Sequence, residues 1–201
     1  MRTSEAYIAR FIHSKASWIH KQQTRIAAAP PRPPQPTISY TAGEQHRFQG
    51  EHCVLQLEQI AGRPRVIFQP ADRTVSIQAR DLRPETVERL LKRAYRQELQ
   101  SLLDQYIPQW QSALDVKADT IRIRAMKRKW GACRPRIADL VFNLELIKYP
   151  LICTSYVVLH ELAHLIEASH NARFQAILTE HMPDWREVEA MLNASTAERL
   201  A

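Results

Sequence analysis

Three stretches in the middle of the chain alternate apolar and polar residues. They cover residues 53–60, 65–69 and 74–79, and the turn-forming segments AGRP and PADR separate them. An alternation with a period of two is typical of β-strands that bury one face and expose the other. The pattern therefore predicts three short antiparallel strands.

A different spacing follows, in which apolar residues recur every three or four positions. Pro84 and Glu85 suit the first turn of a helix, and Pro108 is expected to end or kink it. This spacing predicts a long amphipathic helix with one buried face. The residues of that face are Val87, Leu90, Leu91, Ala94, Tyr95, Leu99, Leu102, Leu103 and Tyr106.

The start of the chain also shows helical spacing, from Tyr7 to Ile19, and predicts a helix within residues 1–28. Residues 29–36 read APPRPPQP. Each proline fixes its own backbone and disfavours helix in the residue before it, so this segment is predicted to be an extended linker. Residues 37–201 are enough for one hydrophobic core and are predicted to form one domain.

Two further apolar patterns occupy the C-terminal half. Residues 120–130 and 138–147 form a second β region, which we expect to pair around the intervening GACRPR. Residues 149–168 are apolar on nearly every side, which is typical of a helix inside a hydrophobic core.

That core helix contains HELAH, the HExxH pattern. His160 and His164 are four residues apart and share one helical face, so both imidazoles can reach one metal ion. Glu161 points to a neighbouring direction, where its carboxylate can act as general base on a water molecule. A buried His-Glu-His cluster without a metal would leave costly polar groups to satisfy, so we predict a metal site.

A catalytic zinc site needs a third protein ligand, and two residues downstream are candidates. Glu167 stays on the same face if the helix continues past His164. His170 reaches the ion only if the chain turns back near Ala168 and Ser169. An imidazole suits zinc well, and with His170 as ligand Glu167 would support the site from outside.

Charge is distributed unevenly along the chain, whose net charge is +7. Between residues 117 and 136 one acid, Asp119, accompanies many basic residues, whereas acids outnumber bases after Pro150. Such asymmetry steers anionic ligands to one surface. The basic residues are Lys117, Arg122, Arg124, Lys127, Arg128, Lys129, Arg134 and Arg136.

Cysteine content and hydropathy indicate the compartment. The three cysteines, Cys53, Cys133 and Cys153, are far apart and form no CxxC pair, so we expect reduced, structural thiols. Residues 1–18 lack the apolar stretch of a secretory signal, and no run approaches the roughly 20 apolar residues that span a bilayer. We therefore predict a cytoplasmic protein with no membrane partner.

Several motifs together resemble the YgjP-like metallopeptidases, which are zincin-type metal hydrolases similar to SprT-like domains. Their order and spacing are far more specific than HExxH alone. The motifs are MKRKWGAC at 126–133, FNLELI at 142–147, YVVLHELAHL at 156–165, SHNARF at 169–174 and MPDW at 182–185.

The resemblance implies an α+β, zincin-like fold with a small, mostly antiparallel sheet, a long amphipathic helix and a buried HExxH helix, the catalytic half lying at about residues 117–192. It also implies that zinc binds His160, His164 and His170 and that Glu161 is the catalytic base.

The resemblance also has implications for the substrate. By analogy with zincins, the strand within TIRIRAMKRKW borders the cleft and pairs with an extended peptide, with Arg128, Lys129 and Trp130 as substrate contacts. Family members usually have Arg and Ser where this chain has Lys129 and Ala132, and a strand pair ahead of the first helix that is not apparent here. We expect either a smaller sheet or a start further upstream.

The sequence thus predicts a zinc-dependent hydrolase, with a metallopeptidase that cleaves peptides or proteins as the leading hypothesis. Zinc could be replaced by another divalent metal, because histidine ligation tolerates several. One alternative is a metal-dependent nucleoside triphosphate pyrophosphohydrolase that uses the same site and the basic stretch. Another is a nucleic-acid-associated zinc-binding module, recruited through residues 117–136.

Overall fold

The computed structural model describes residues 4–28 and 38–200. Helix α1, Glu5–Ala27, belongs to one compact unit, and all other elements belong to a second unit. The linker predicted for residues 29–36 lies outside the described residues. The division of the chain into helix, linker and domain therefore stays a prediction.

The first half of the large unit contains a four-stranded sheet. A two-residue turn joins its first two strands, and Gln49 and Gly50 both adopt positive φ there, as a tight hairpin with right-handed twist requires. The strands are β1 (Gln45–Phe48), β2 (Glu51–Gln59), β3 (Arg65–Gln69) and β4 (Thr74–Ala79), in the order β1-β2-β4-β3.

The pairing of these strands differs from the all-antiparallel prediction. Strands β3 and β4 form the expected antiparallel hairpin. Strand β2, however, pairs in parallel with β4, with Val54 opposite Thr74 and Gln59 opposite Ala79. The all-antiparallel prediction was therefore wrong for β2, because alternation shows which residues form a strand but not which neighbour completes its hydrogen bonds.

Helix α2, Pro84–Leu114, contacts β3 and β4 and continues through Pro108. Pro108 was predicted to end or kink the helix, and the helix does not end there. Residues beyond it are buried, and the Trp110 indole donates a hydrogen bond to the Ser155 hydroxyl at 3.0 Å. Burial of Trp110 and Leu114 offsets the backbone hydrogen bond that a proline cannot donate.

A second sheet has three strands, in the order β5-β7-β6. The predicted pairing of the two β regions is present, between β5 and β7, and it is parallel. The GACR segment, predicted only to connect them, forms β6 and pairs antiparallel with β7. The strands are β5 (Thr120–Arg124), β6 (Gly131–Arg134) and β7 (Asp139–Asn143).

The C-terminal part is helical, with α3 (Leu151–Ala163), α4 (Ala172–His181) and α5 (Trp185–Leu200). Helix α3 is buried over most of its length, as its continuous apolar pattern predicts. It contacts helices α2, α4 and α5 and strands β6 and β7. The predicted α+β class is confirmed, and in the described residues three strand pairings are antiparallel and two parallel.

Candidate metal centre

The last turn of helix α3 carries two of the predicted metal ligands. His160 lies inside the helix, and His164 is the residue that caps its C-terminus. The two ring centroids are 5.0 Å apart, so the four-residue spacing does place both imidazoles together.

The chain reverses after α3 and returns His170 to the same place. It leaves the helix after Ala163 and bends at residues 168 and 169. The Glu167 carboxylate accepts hydrogen bonds from the backbone N–H and the hydroxyl of Ser169, at 3.2 and 2.9 Å, and so stabilises the bend. His170 Nε2 consequently lies 3.0 Å from His160 Nε2.

Of the two candidates for the third ligand, the structure brings His170 into the cluster. One ligand atom each of His160, His164 and His170 lies within 4.8 Å of the others. Because the helix ends at Ala163, Glu167 does not stay on the ligand face. Its carboxylate instead accepts a hydrogen bond from the Ser169 hydroxyl and lies 3.9 Å from the Arg173 guanidinium.

Phe174 packs against all three imidazoles, a role that no sequence pattern indicated. Its ring centroid lies 4.9, 4.6 and 4.8 Å from those of His160, His164 and His170. Phe174 is only 1% exposed. It lies in the first turn of helix α4, whose N-terminus is capped by the side chain of Asn171. Phe174 therefore provides an apolar surface against which all three imidazoles pack.

The protonation of the cluster suits metal binding. Burial, followed by the charges of His164 and His170, lowers the pKa of His160 to about 3. Burial also lowers the pKa of His164. Both imidazoles are neutral at physiological pH, which is the form that binds metals.

Hydrogen bonds also select which ring nitrogen faces the centre. His164 Nδ1 lies 3.1 Å from the backbone carbonyl oxygen of Glu167. A carbonyl oxygen only accepts, so Nδ1 must carry the proton and Nε2 keeps its lone pair. His160 Nδ1 similarly contacts the Tyr156 hydroxyl at 3.3 Å.

Glu161 lies beside the histidines and is almost fully buried, at 5% exposure. Burial raises the pKa of Glu161 to about 8, and the Lys129 ammonium opposes that rise. Its carboxylate packs directly on Gly131 of strand β6: a Cβ atom added there would lie 2.4 Å from Glu161 Oε1. Only glycine leaves room for the carboxylate at this point.

The cluster lies in a cavity of about 540 Å³. Strand β6 and the residues before it form one wall, helix α3 the base, and helix α5 the other wall. The three predicted substrate contacts, Arg128, Lys129 and Trp130, all line this cavity, and so do Tyr156 and Glu189.

The strand beside the cavity is β6, not the TIRIR strand expected by analogy. Strand β5 contributes no lining residue, because β7 lies between it and β6. Of the basic residues in 117–136, Arg128 and Lys129 line the cavity. Arg122 and Arg134 instead form ion pairs with the buried Asp139.

Asn143 fixes the loop that carries Arg128, Lys129 and Trp130. Its amide nitrogen donates to the carbonyls of Met126 and Lys129, at 2.8 and 2.7 Å, and its oxygen accepts from the Met126 N–H at 3.2 Å. Asn143 is fully buried. Its position within the FNLELI motif did not by itself indicate this role.

The arrangement of three imidazoles and a carboxylate in one cavity agrees with the result of a family comparison. The sequence profile of the YgjP-like metallopeptidase domain matches residues 1–195. The chain belongs to the YgjP-like family. This confirms the resemblance found from the sequence motifs, and membership implies a metal-dependent hydrolase.

The search of curated proteins finds no match to the chain. Within the part of the chain that the structure describes, none of the helices combines the length and the apolar character needed to cross a bilayer.

Proposed function

We propose that this YgjP-like chain is a zinc-dependent metallopeptidase. The observation that carries the proposal is the convergence of three imidazoles and the Glu161 carboxylate in one cavity beside an edge strand. Three protein ligands are the usual number for a catalytic zinc ion.

The donor set fits zinc. Two of the three imidazoles direct Nδ1 to a hydrogen-bond partner, which leaves Nε2 for the metal, and burial keeps both rings neutral. His160, His164 and His170 would hold the ion. Zinc at this position supplies a Lewis acid that polarises the scissile carbonyl and lowers the pKa of water.

Glu161 is the general base and acid of the proposed reaction. The charge of a bound zinc ion would favour the ionised form of this carboxylate over the protonated form that burial favours. The carboxylate takes a proton from the attacking water and delivers that proton to the leaving amine. Packing against Gly131 holds the carboxylate in one position during both transfers. The low exposure of Glu161 also keeps bulk water away from the proton.

Strand β6 favours an extended peptide over a nucleotide as substrate. Among the described residues it is an edge strand, with β7 on one side only. An extended peptide can add to such an edge through backbone hydrogen bonds. Arg128 and Lys129 provide positive charge at the cavity. Arg122 and Arg134 instead form ion pairs with Asp139, which does not favour phosphate binding by these two residues.

The test compares the protein with its Glu161→Gln variant on two substrate pools, an unstructured protein library and mixed nucleoside triphosphates. Mass spectrometry reads the products, and zinc content is measured in parallel. We expect the wild-type protein to cleave peptides and Glu161→Gln to lose cleavage by a factor of about 100 or more while retaining zinc.

The control is Glu187→Gln, the same chemical change at an exposed position of helix α5 outside the cavity, and it should cleave as the wild type does. Unchanged turnover in Glu161→Gln would refute the proposed role. Pyrophosphate release without peptide cleavage, lost in Glu161→Gln, would replace the peptidase with the pyrophosphohydrolase alternative.

A further inference from the structure

Helix α5 contributes a carboxylate that reaches a proposed metal ligand through a tyrosine. The Tyr156 hydroxyl lies 3.3 Å from His160 Nδ1 and 3.3 Å from Glu189 Oε1. We propose that Glu189, acting through Tyr156, is a positioning residue that holds His160 in its metal-binding tautomer. This inference rests on the proposed zinc site.

The direction of the two hydrogen bonds follows from the number of protons. A carboxylate only accepts, so the single hydroxyl proton of Tyr156 points to Glu189. The hydroxyl oxygen can then only accept from His160, so Nδ1 of that imidazole carries the proton. The lone pair of His160 is therefore on Nε2, the nitrogen that faces His170.

Packing holds the tyrosine between its two partners. Tyr156 is one turn before His160 on helix α3, and its ring meets the imidazole edge-on at a centroid distance of 5.7 Å. On its other side the ring stacks on Trp185, with an interplanar angle of 6°. Trp185 is in turn one turn before Glu189 on α5, so one face of that helix supports both the ring and the hydroxyl.

His160 and His164 differ in how their tautomers are fixed. The partner of His164 is a backbone carbonyl, which no side-chain substitution removes. The partner of His160 is a hydroxyl that would donate to Nδ1 if Glu189 did not accept its proton. In that case His160 would carry its own proton on Nε2 and would lose its lone pair for the metal.

The test measures zinc affinity by chelator competition in the intact chain, without any turnover. Tyr156→Phe keeps the ring and its stacking but removes the acceptor, and Glu189→Ala frees the hydroxyl to donate to His160. Both are expected to weaken zinc binding by about 10–100-fold. Glu189→Gln keeps an acceptor oxygen and should bind zinc more tightly than Glu189→Ala.

We call the hydrogen-bonded chain from Glu189 through Tyr156 to His160 the relay. A double-mutant cycle distinguishes an effect of the relay on zinc affinity from a general effect of the Glu189 charge. If Glu189 acts through Tyr156, adding Glu189→Ala to Tyr156→Phe should cause no further loss of zinc affinity. Imidazole nitrogen NMR shifts give a second readout, with Nδ1–H in the wild type and a population of Nε2–H in Glu189→Ala. Glu187→Ala removes a neighbouring exposed charge and should change neither.

Wild-type zinc affinity in both Tyr156→Phe and Glu189→Ala, or fully additive losses in the double variant, would overturn the relay. If Tyr156→Phe fails to fold, the comparison of Glu189→Ala with Glu189→Gln and the NMR shifts still decide it. Failure of the proposed function is a separate result, since it appears as unchanged turnover in Glu161→Gln whatever the zinc affinity of the relay variants.

Discussion

Gly131 is the residue whose identity the site constrains most directly. A methyl group at this position would meet Glu161 Oε1 at 2.4 Å and Glu161 Cγ at 2.6 Å, far inside van der Waals contact. The carboxylate would have to move, and a displacement of about 1 Å at a catalytic group costs on the order of 100-fold in rate. Gly131→Ala is therefore expected to lower kcat by about that factor.

Zinc content should stay at the wild-type level in Gly131→Ala, because the histidines are not displaced. The matched control is Gly62→Ala, where the added Cβ meets only Ile60 Cδ1, at 3.6 Å. Steady-state kinetics and metal analysis of both variants check the expectation. Wild-type kcat in Gly131→Ala would show that the contact between strand β6 and Glu161 does not matter for the reaction.

Some of the site residues can be predicted from sequence, and others cannot. His160, Glu161 and His164 could be grouped in advance because helical spacing is a local property. The position of His170 depends on where the helix ends, so spacing alone left Glu167 as a competing candidate. The approach of Gly131 to Glu161 depends on how a strand packs on a helix, and no local pattern encodes it.

At the scale of elements, the chain shows the same division between local and non-local information. The predicted strands at 65–69 and 74–79 match β3 and β4, because alternation is visible in the sequence itself. The parallel pairing of β2 with β4 was not predictable, since it depends on which edge remains available after the β3–β4 hairpin forms. Similarly, helix α2 continues past Pro108 because Trp110 is buried and contacts Ser155, which is far away in the sequence.

The loop at residues 126–130 depends on Asn143 as its anchor. Replacing Asn143 with Leu keeps the branched shape of the side chain but removes its three hydrogen bonds to the backbone of Met126 and Lys129. Each hydrogen bond contributes about 0.5–1.5 kcal/mol, so the loss of three should lower the free energy of unfolding by roughly 3 kcal/mol. KM should also rise, because Arg128 and Lys129 lose their fixed position at the cavity.

Denaturant unfolding and steady-state kinetics test this expectation for Asn143→Leu. The control is Lys129→Ala, which removes one cavity-lining side chain but keeps the backbone carbonyl that Asn143 binds. It should raise KM with little change in unfolding free energy. Equal stability of Asn143→Leu and the wild type would mean that the loop does not need this anchor.

At the scale of the whole molecule, the site couples separate parts of the large unit. The proposed ligands come from helix α3 and from the chain beyond its end, while strand β6 and helix α5 form the walls. A metal that binds only the folded arrangement stabilises all of it by mass action. Removing the metal should therefore lower the stability of the domain as a whole.

The size of that effect follows from the linkage of binding and folding. Free zinc at 100 times its Kd stabilises the folded state by about 2.7 kcal/mol. For a chain of this length, each kcal/mol shifts Tm by about 2–4 °C, so a chelator should lower Tm by roughly 5–10 °C. Differential scanning calorimetry with and without chelator gives the measurement.

Variants of His170 and Glu167, the two candidates for the third ligand, show which of them the chelator-dependent shift in Tm requires. His170→Ala should lose the chelator-dependent shift in Tm, because it removes a donor atom from the cluster. Glu167→Gln should keep that shift, because the glutamine oxygen still caps Ser169 and the backbone carbonyl still accepts from His164. The opposite result, with the shift lost in Glu167→Gln and kept in His170→Ala, would exchange the roles of the two residues.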